Sequence, residues 1–216
     1  MDRLVLLRHG ESTANAGGTF AGWLDVPLTA RGLAEARAAG RTLAGLRPDA
    51  VHTSVLTRAV DTARLVIEEA GWQLSPFRDW RLNERHYGAL QGMGKEQARL
   101  RHGRWQVERW RRSVDEPPPA ADPDALDIQL ADPRYAAEPL ARLVAGESLA
   151  DVALRMAPYW QDVLRPPLAG GGTVLVVAHG NALRVLLHLA TGRPLEETAR
   201  THVPTAVPLI LPAPAP

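Results

Sequence analysis

Two histidines in the same local sequence context are the residues best suited to chemistry. One apolar run ends in His9-Gly10, and a second apolar run ends in His179-Gly180. In open α/β sheets, ligands bind at the carboxyl ends of the strands, and a glycine there lets the backbone turn sharply and approach a ligand. A single histidine of this kind would more simply be a structural residue that ends a strand and donates a hydrogen bond to a carbonyl. Because the context occurs twice, we expect the two imidazoles to face each other across one crevice.

Two arginines lie near the same expected edge of the sheet. Arg8 directly precedes His9, and Arg58 lies about one turn into the helix after another strand end. Guanidinium groups and the backbone N–H groups at helix starts suit a phosphate. The basic residues of this chain are nearly all arginine, with Lys95 the only lysine. Either arginine alone would therefore be interpreted as a solvated surface charge. Together with the histidines they predict an anion site rather than a metal site, which would need clustered carboxylates or similar ligands.

An imidazole held among cations can attack a phosphoryl group directly and form a phosphohistidine. Arg8, Arg58 and a protonated His179 would stabilise the charge of the transition state without Mg²⁺. Glu84 is the carboxylate that we expect to protonate the leaving oxygen. A surface ion pair with Arg85 is the equally weighted alternative for Glu84. The predicted chemistry is therefore phosphoryl transfer.

Short apolar runs alternate with helical patterns and predict the elements that position these groups. We predict strands at Leu4–Leu7, Ala50–Thr53 and Thr173–Ala178, with weaker candidates at Trp72–Phe77 and Val207–Leu211. We predict helices from Thr29 to about Leu46, from about Leu56 to Ala70 before Gly71, and from about Asn181 to Ala190. The alternation indicates a three-layer, doubly wound α/β fold with a mostly parallel sheet and helices on both faces.

The section at about 79–144 breaks this alternation. It carries Pro117-Pro118-Pro119, several acidic residues and an arginine-rich helical stretch from about Lys95 to Arg112. It has few large apolar residues with which to build its own core. We therefore predict one domain over residues 1–216, in which this section is an inserted cap over the carboxyl edge of the strands.

The composition excludes several classes of protein. The 216 residues include no cysteine, which rules out disulfides, thiolate catalysis and cysteine-based zinc sites. A net charge of +1 argues against a nucleic-acid binder or a protein that binds anionic membranes. No apolar run approaches the ~20 residues of a membrane span, and the apolar start is too short for a signal peptide. We expect a cytoplasmic protein.

Longer motifs around these residues resemble those of the histidine phosphatase superfamily, and of its phosphoglycerate mutases in particular. The segment Arg8-His9-Gly10-Glu11-Ser12-Thr13-Ala14-Asn15 resembles the superfamily signature, and Leu82–Gly92 is similar to a more specific mutase motif. Further similar segments are Trp110-Arg111-Arg112, Glu147-Ser148-Leu149, Pro158-Tyr159-Trp160, Ala178-His179-Gly180-Asn181 and Val203-Pro204-Thr205. The resemblance covers about residues 3–211.

The resemblance implies an activity and residue roles. The activity is the interconversion of 3-phosphoglycerate and 2-phosphoglycerate, in glycolysis and gluconeogenesis, through a phosphohistidine and 2,3-bisphosphoglycerate, without a metal. His9 would be the phosphorylated nucleophile, Glu84 the proton donor and acceptor, and His179 a stabiliser of the transition state. Arg8 and Arg58 complete the implied catalytic set. The implied substrate-binding set comprises Arg8, Gly10, Glu11, Ser12, Asn15, Ala21, Gly22, Arg58, Glu84, Arg85, His86, Tyr87, Lys95, Arg111, Arg112, Gly180 and Asn181.

The cations of the predicted cap favour a mutase over a simple phosphatase. A mutase must hold a carboxylate and a second phosphate while its intermediate reorients, and Lys95, Arg111 and Arg112 supply that extra positive charge. A phosphomonoesterase on the same fold and a non-catalytic phospholigand-binding protein are the alternatives. The chain has Ala21 where the family commonly has threonine, and it stops at Pro216 without the usual tail. These departures predict some phosphatase leakage. The resemblance also implies a homodimer.

Overall fold

The computed structural model describes residues 3–138, 141 and 144–212. Within these residues the strands are β1 (Arg3–Arg8), β2 (Ala50–Thr53), β3 (Phe77–Arg78), β4 (Thr173–Ala178) and β5 (Leu209–Pro212). They form one sheet in the order β3-β2-β4-β1-β5. β1 pairs with β4, β4 with β2 and β2 with β3 in parallel, whereas β5 is antiparallel to β1. This arrangement confirms the predicted α/β fold with a mostly parallel sheet.

The helices of the described residues follow the predicted alternation. They are α1 (Thr13–Ala16), α2 (Ala30–Leu43), α3 (Thr57–Ala70), α4 (Lys95–His102), α5 (Arg104–Arg112), α6 (Pro123–Leu130), α7 (Leu149–Tyr159), α8 (Arg165–Ala169), α9 (Gly180–Thr191) and α10 (Leu195–Thr198). A π-helical turn at Trp160–Leu164 joins α7 to α8. Short 3₁₀ turns lie at Trp80–Leu82, Gly88–Leu90 and Pro133–Tyr135. No helix in this part of the chain is long and apolar enough to cross a membrane.

Alternate residues of the central strands enter two separate cores. Leu4 and Leu6 of β1 lie in one core with residues of α7 and α9. Val5 and Leu7 of the same strand lie in the other core with residues of α2 and α3. Because successive side chains of a strand point to opposite faces, a strand covered on both faces reads as a continuous apolar run. Helices therefore cover both faces of the sheet, as predicted.

Three sequence predictions need correction. The weak strand candidate Trp72–Phe77 is wrong except for its last residue, because Trp72 instead packs in a core and its Nε1 donates to the Leu46 carbonyl at 2.9 Å. The helical stretch at Lys95–Arg112 is two helices. Gly103 separates them with a φ of 81°, a backbone conformation that favours glycine. The helix that begins after Thr29 ends at Leu43 rather than at about Leu46.

Two small apolar clusters join the predicted cap section to residues outside it, Phe20 and Trp23. Phe20 and Leu90 pack with residues of α4 and α5 in the first, and Trp23 packs with Trp80 and Tyr135 in the second. Within the predicted cap, residues 139, 140, 142 and 143 lie outside the described residues, as do residues 1, 2 and 213–216 at the two ends of the sequence. The assignment of the whole chain to one domain stays a prediction.

Candidate active site

The two histidines meet at the carboxyl edge of the sheet because their strands are neighbours in register. Arg8 of β1 pairs with Ala178 of β4, so the next residue of each chain segment leaves the sheet at the same level. The backbone N–H of His9 donates to the Ala178 carbonyl at 3.0 Å. The ring centroids of His9 and His179 are 5.0 Å apart. The predicted crevice with two facing imidazoles is therefore present.

His9 is a neutral imidazole with an unprotonated ring nitrogen. Its Nδ1 lies 2.7 Å from the Gly10 carbonyl. Because a carbonyl only accepts, Nδ1 carries the proton and Nε2 keeps its lone pair. The ring is 3% exposed, and burial, followed by the charges of Arg58 and Arg8, lowers its pKa well below the ordinary 6.5. Nε2 is therefore unprotonated and able to attack a phosphoryl group at neutral pH.

His179 has one ring nitrogen held by the protein and one without a partner. Its Nε2 lies 2.8 Å from the Ser54 hydroxyl, while its buried Nδ1 has no hydrogen-bond partner among the described residues. Burial and then the charge of Arg58 lower the pKa of His179 well below 6.5. The ring is therefore neutral, which differs from the predicted protonated state. When the Ser54 hydroxyl donates to Nε2, Nδ1 carries the proton and is an unpaired donor.

Arg58 is a buried cation locked to a backbone loop. It is 1% exposed, and its Nη1 and Nη2 donate to the carbonyls of Leu24 (2.9 Å) and Gly22 (2.7 Å). Burial lowers its pKa to about 10, so the guanidinium keeps its charge at neutral pH. Gly22 has a φ of 54°, and a Cβ there would lie 2.1 Å from Oε1 of Gln91. The loop that orients Arg58 therefore requires glycine.

Glu84 is held by backbone donors at the mouth of the crevice. Its Oε1 accepts from the N–H groups of Arg85 (2.8 Å) and Asn181 (3.2 Å). Its backbone carbonyl accepts from Nε1 of Trp23 at 2.6 Å. The equally weighted alternative, a surface ion pair with Arg85, is wrong, because the Arg85 guanidinium is buried elsewhere and donates to the Trp110 carbonyl at 2.7 Å.

These groups open onto a cavity of about 290 Å³. Of the predicted residues, its wall contains Arg8, His9, Ser12, Asn15, Ala21, Gly22, Arg58, Glu84, Tyr87, Lys95, Arg111, Arg112, Gly180 and Asn181. Six of the lining side chains are arginine or lysine, and Glu84 is the one carboxylate among them. A small cavity with this charge excess suits a ligand that carries more than one anionic group.

The remaining predicted residues lie outside the cavity wall. Glu11 accepts a hydrogen bond from the Thr29 hydroxyl at 2.9 Å, and the Gly10 N–H donates to the Thr62 hydroxyl at 3.1 Å. The ring of His86 accepts from the Gly88 N–H at 3.0 Å. The guanidinium of Arg85 lies 4.7 Å from the ring of Tyr87, which does line the cavity. The side chains of Glu11, Arg85 and His86 thus contact other parts of the protein. The structure brings none of Gly10, Glu11, Arg85, His86 and the predicted His179 to the wall, although the ring centroid of His179 lies 5.0 Å from that of His9.

Comparison with known proteins places this geometry in a family. The family profile of the histidine phosphatase superfamily (branch 1) matches residues 4–211. The chain belongs to the histidine phosphatase superfamily. Like its superfamily relatives of solved structure, it has the fold seen in a mycobacterial glucosyl-3-phosphoglycerate phosphatase in complex with VO3. That structure has a TM-score of 0.75 and 27% identity, over 97% of this chain and 92% of the other.

Other members of the superfamily are more similar to this chain in sequence than that solved structure is. This chain is 52% identical to the 2,3-bisphosphoglycerate-dependent phosphoglycerate mutase of Thermobifida fusca, over 97% of this chain and 86% of the relative. It is 48% identical to the enzyme of the same name from Nitratidesulfovibrio vulgaris, over 96% of this chain and 84% of the relative. The chain is thus similar to named mutases over nearly its whole length.

Sequence analysis missed four residues of this superfamily site. Thr19, Phe20 and Arg184 line the cavity, and Ser54 bonds His179. Arg184 stands four residues after Gly180 in α9, a spacing that places both on one helix face and could have found it. The positions of the other three depend on loop geometry, for which the sequence carries no comparable periodic signal.

A buried ion pair lies behind Glu84. Nε of Arg155 lies 2.6 Å from Oε1 of Glu147, and the two side chains are 5% and 4% exposed. Nη1 of Arg155 also donates to the Arg81 carbonyl at 2.6 Å, and Nη2 reaches the Glu84 carbonyl at 3.4 Å. Oε2 of Glu147 accepts from the His86 N–H at 2.8 Å. The pair therefore holds the backbone on both sides of Glu84.

Proposed function

We propose that this chain is a 2,3-bisphosphoglycerate-dependent phosphoglycerate mutase that interconverts 3-phosphoglycerate and 2-phosphoglycerate. The observation that carries the proposal is the cavity, in which His9, whose ring centroid is 5.0 Å from that of His179, shares a wall with six cationic side chains. A phosphatase needs to hold one phosphate, whereas a mutase must also hold a carboxylate and a second phosphate. The named mutases that are about half identical to this chain support the same activity.

The residues of the cavity fit 2,3-bisphosphoglycerate. Nε of Arg8 is buried without a partner in the described part of the chain, as expected of a donor that awaits an anion. Arg8, Arg58 and Asn15 would hold the phosphoryl group at His9, and Lys95, Arg111 and Arg112 would hold the other anionic groups. When bound, 2,3-bisphosphoglycerate supplies the phosphoryl group that charges the enzyme.

The chain's own residues then account for phosphoryl transfer. Nε2 of His9 attacks phosphorus, and the P–N bond forms as the P–O bond to the leaving oxygen breaks. Glu84 gives its carboxyl proton to that oxygen and takes a proton back in the reverse step. Nδ1–H of His179 and the guanidinium groups of Arg8 and Arg58 stabilise the charge on the equatorial oxygens.

A phosphomonoesterase activity is the second candidate. It is favoured by the similarity to a solved structure that is named a glucosyl-3-phosphoglycerate phosphatase. Hydrolysis would use the same His9 phosphoenzyme with water as the acceptor. The lower identity of that relative, 27% against 52% for a named mutase, favours the mutase.

The experiment that decides is a paired assay of 3-phosphoglycerate conversion with and without 2,3-bisphosphoglycerate, in wild type and His9→Ala. We expect 2-phosphoglycerate to form in the presence of bisphosphate, acid-labile phosphate to appear on the wild-type protein, and both to be absent in His9→Ala. Glycerate and inorganic phosphate as the only products would replace the mutase by a phosphatase. Absence of acid-labile phosphate with substrate still bound would indicate a binding protein instead.

We infer further that the protein is a cytoplasmic homodimer. Phe77 of the edge strand β3 is 61% exposed, and the ring of His52 stacks on it at 5.2 Å. An exposed aromatic on a sheet edge favours pairing with a second copy. Light scattering of wild type and Phe77→Asp tests this: a monomeric mass for wild type contradicts the proposal, and loss of the dimer in the variant locates the interface.

A further inference from the structure

Arg184 is a cation of the cavity wall to which the mechanism above gives no role. It lies on α9, and its side chain is half-buried. Its Nε donates to the Thr201 carbonyl at 2.9 Å. Nη1 and Nη2 have no hydrogen-bond partner among the described residues. The guanidinium is therefore fixed at one end and leaves its other donors to the cavity.

The surroundings of Arg184 favour an anionic ligand over a structural role. Burial lowers its pKa, the charges of Glu84 and then Tyr87 raise it, and the smaller effects of Arg8 and Arg112 lower it. Because burial is the largest of these effects, an anion that enters the cavity would compensate the desolvation of the guanidinium. An arginine with two open N–H donors is suited to bind a carboxylate or a phosphate.

The local backbone provides the room and the anchor for this side chain. A Cβ at Gly180 would lie 3.3 Å from Nη1 of Arg184, so a glycine at this helix start leaves space for the guanidinium. Nη1 of Arg8 donates to the Val203 carbonyl at 3.0 Å, two residues after the carbonyl that anchors Arg184. One backbone segment thus orients two arginines toward the same cavity.

Arg184 is a neighbour of Arg8 in the cationic wall of the cavity. A Cβ at Gly180 would lie 3.3 Å from Nη1 of Arg184 and 3.8 Å from Cζ of Arg8, so the two guanidinium groups lie close together. The cations that lower the pKa of His9 are Arg58 and Arg8, and Arg184 is not one of them. Arg184 therefore supplies donors next to Arg8 that are additional to the cations acting on His9.

We propose that Arg184 determines substrate specificity by binding, through Nη1 and Nη2, the anionic group of the substrate that is not being transferred. That group is the carboxylate or the second phosphate of a phosphoglycerate. The proposal rests on the proposed function for the identity of the substrate. It predicts that Arg184 discriminates 3-phosphoglycerate from an anion that occupies the His9 end alone.

The test compares Arg184→Gln and Arg184→Lys with wild type and with the exposed control Arg200→Gln. For each protein we would measure KM and kcat for 3-phosphoglycerate and the inhibition constant of inorganic phosphate. Loss of a charge-assisted hydrogen bond predicts a KM about 10- to 100-fold higher in Arg184→Gln. The inhibition constant of phosphate should change by less than about threefold, as should every parameter of Arg200→Gln.

Arg184→Lys keeps the charge but places its donors on a single nitrogen, so its KM should lie between those of wild type and Arg184→Gln. An unchanged KM in Arg184→Gln overturns the proposal, and so does a parallel rise in KM and in the phosphate inhibition constant. If thermal unfolding shows that Arg184→Gln does not fold, the ratio of the two constants in Arg184→Lys decides in the same way. If wild type only hydrolyses 3-phosphoglycerate, the proposed mutase fails, while the same constants measured for hydrolysis still test Arg184.

Discussion

Arg155→Met is the substitution whose effect the structure specifies best. Arg155 and Glu147 form an ion pair in which both side chains are nearly inaccessible. The substitution leaves the Glu147 carboxylate buried without its partner, which costs about 3–5 kcal/mol of the free energy of unfolding. For a chain of this size, ~2–4 °C per kcal/mol converts that cost into a melting temperature lower by about 6–20 °C.

Activity should fall as well, because Arg155 holds the backbone carbonyls around Glu84. A displacement of about 1 Å at a catalytic group is enough to lower the rate by on the order of 100-fold. We expect this loss in kcat more than in KM, because Glu84 transfers the proton in the proposed mechanism and the substitution leaves the cations of the cavity in place. Steady-state kinetics at a temperature where the variant is fully folded would measure it.

Urea denaturation followed by tryptophan fluorescence would report the stability change, since the Arg155 guanidinium lies 5.6 Å from the Trp23 ring and 5.8 Å from the Trp80 ring. Arg193→Met is the matched control, because Arg193 forms an ion pair with Glu197 in which both side chains are about half exposed. Solvent screens the charges of such a surface pair, so its loss should change the stability little. The reasoning is refuted if Arg155→Met destabilises the protein no more than the control does.

Three further outcomes follow from the site. Ser54→Ala removes the hydroxyl that fixes which ring nitrogen of His179 carries the proton, so kcat should fall about 10-fold. Ser54→Thr keeps a hydroxyl and should restore kcat. Equal kcat values in wild type, Ser54→Ala and Ser54→Thr would contradict this role of Ser54. Because burial and cations lower the pKa of His9, kcat/KM should not decline as the pH falls through 6.5, and a decline centred there would show an ordinary imidazole. Gly22→Ala, at a φ of 54°, should cost about 1–3 kcal/mol in urea denaturation, whereas Gly45→Ala, where a Cβ meets open space, should not.

The parts of the fold that the sequence predicted well are those with a strong periodic or repeated signal. The apolar runs that end in His9 and His179 are fully buried strands, and their shared ending predicted that the two rings would meet. The predicted helix over Leu56–Ala70 is present as Thr57–Ala70. These predictions succeeded because burial on both faces of a parallel sheet leaves a continuous apolar run in the sequence.

The sequence was a poorer guide to where individual side chains point. Glu11, Arg85 and His86 lie in the motifs that predicted them, yet each side chain contacts protein rather than the cavity. Motif membership fixes a residue's place in the chain, whereas backbone dihedrals decide whether its side chain reaches a ligand. Ser54 was missed for the same reason, because its contact with His179 spans 125 residues of sequence and no local pattern encodes it.

The strand order also has a consequence for biosynthesis. The neighbours of β1 in the sheet are β4 and β5, which begin only at residues 173 and 209. On the ribosome, the N-terminal strand therefore emerges long before either of its partners in the sheet, and its unpaired backbone N–H and C=O groups and apolar side chains stay open to wrong contacts during most of translation. A more apolar first strand would increase this exposure to aggregation before the sheet can close.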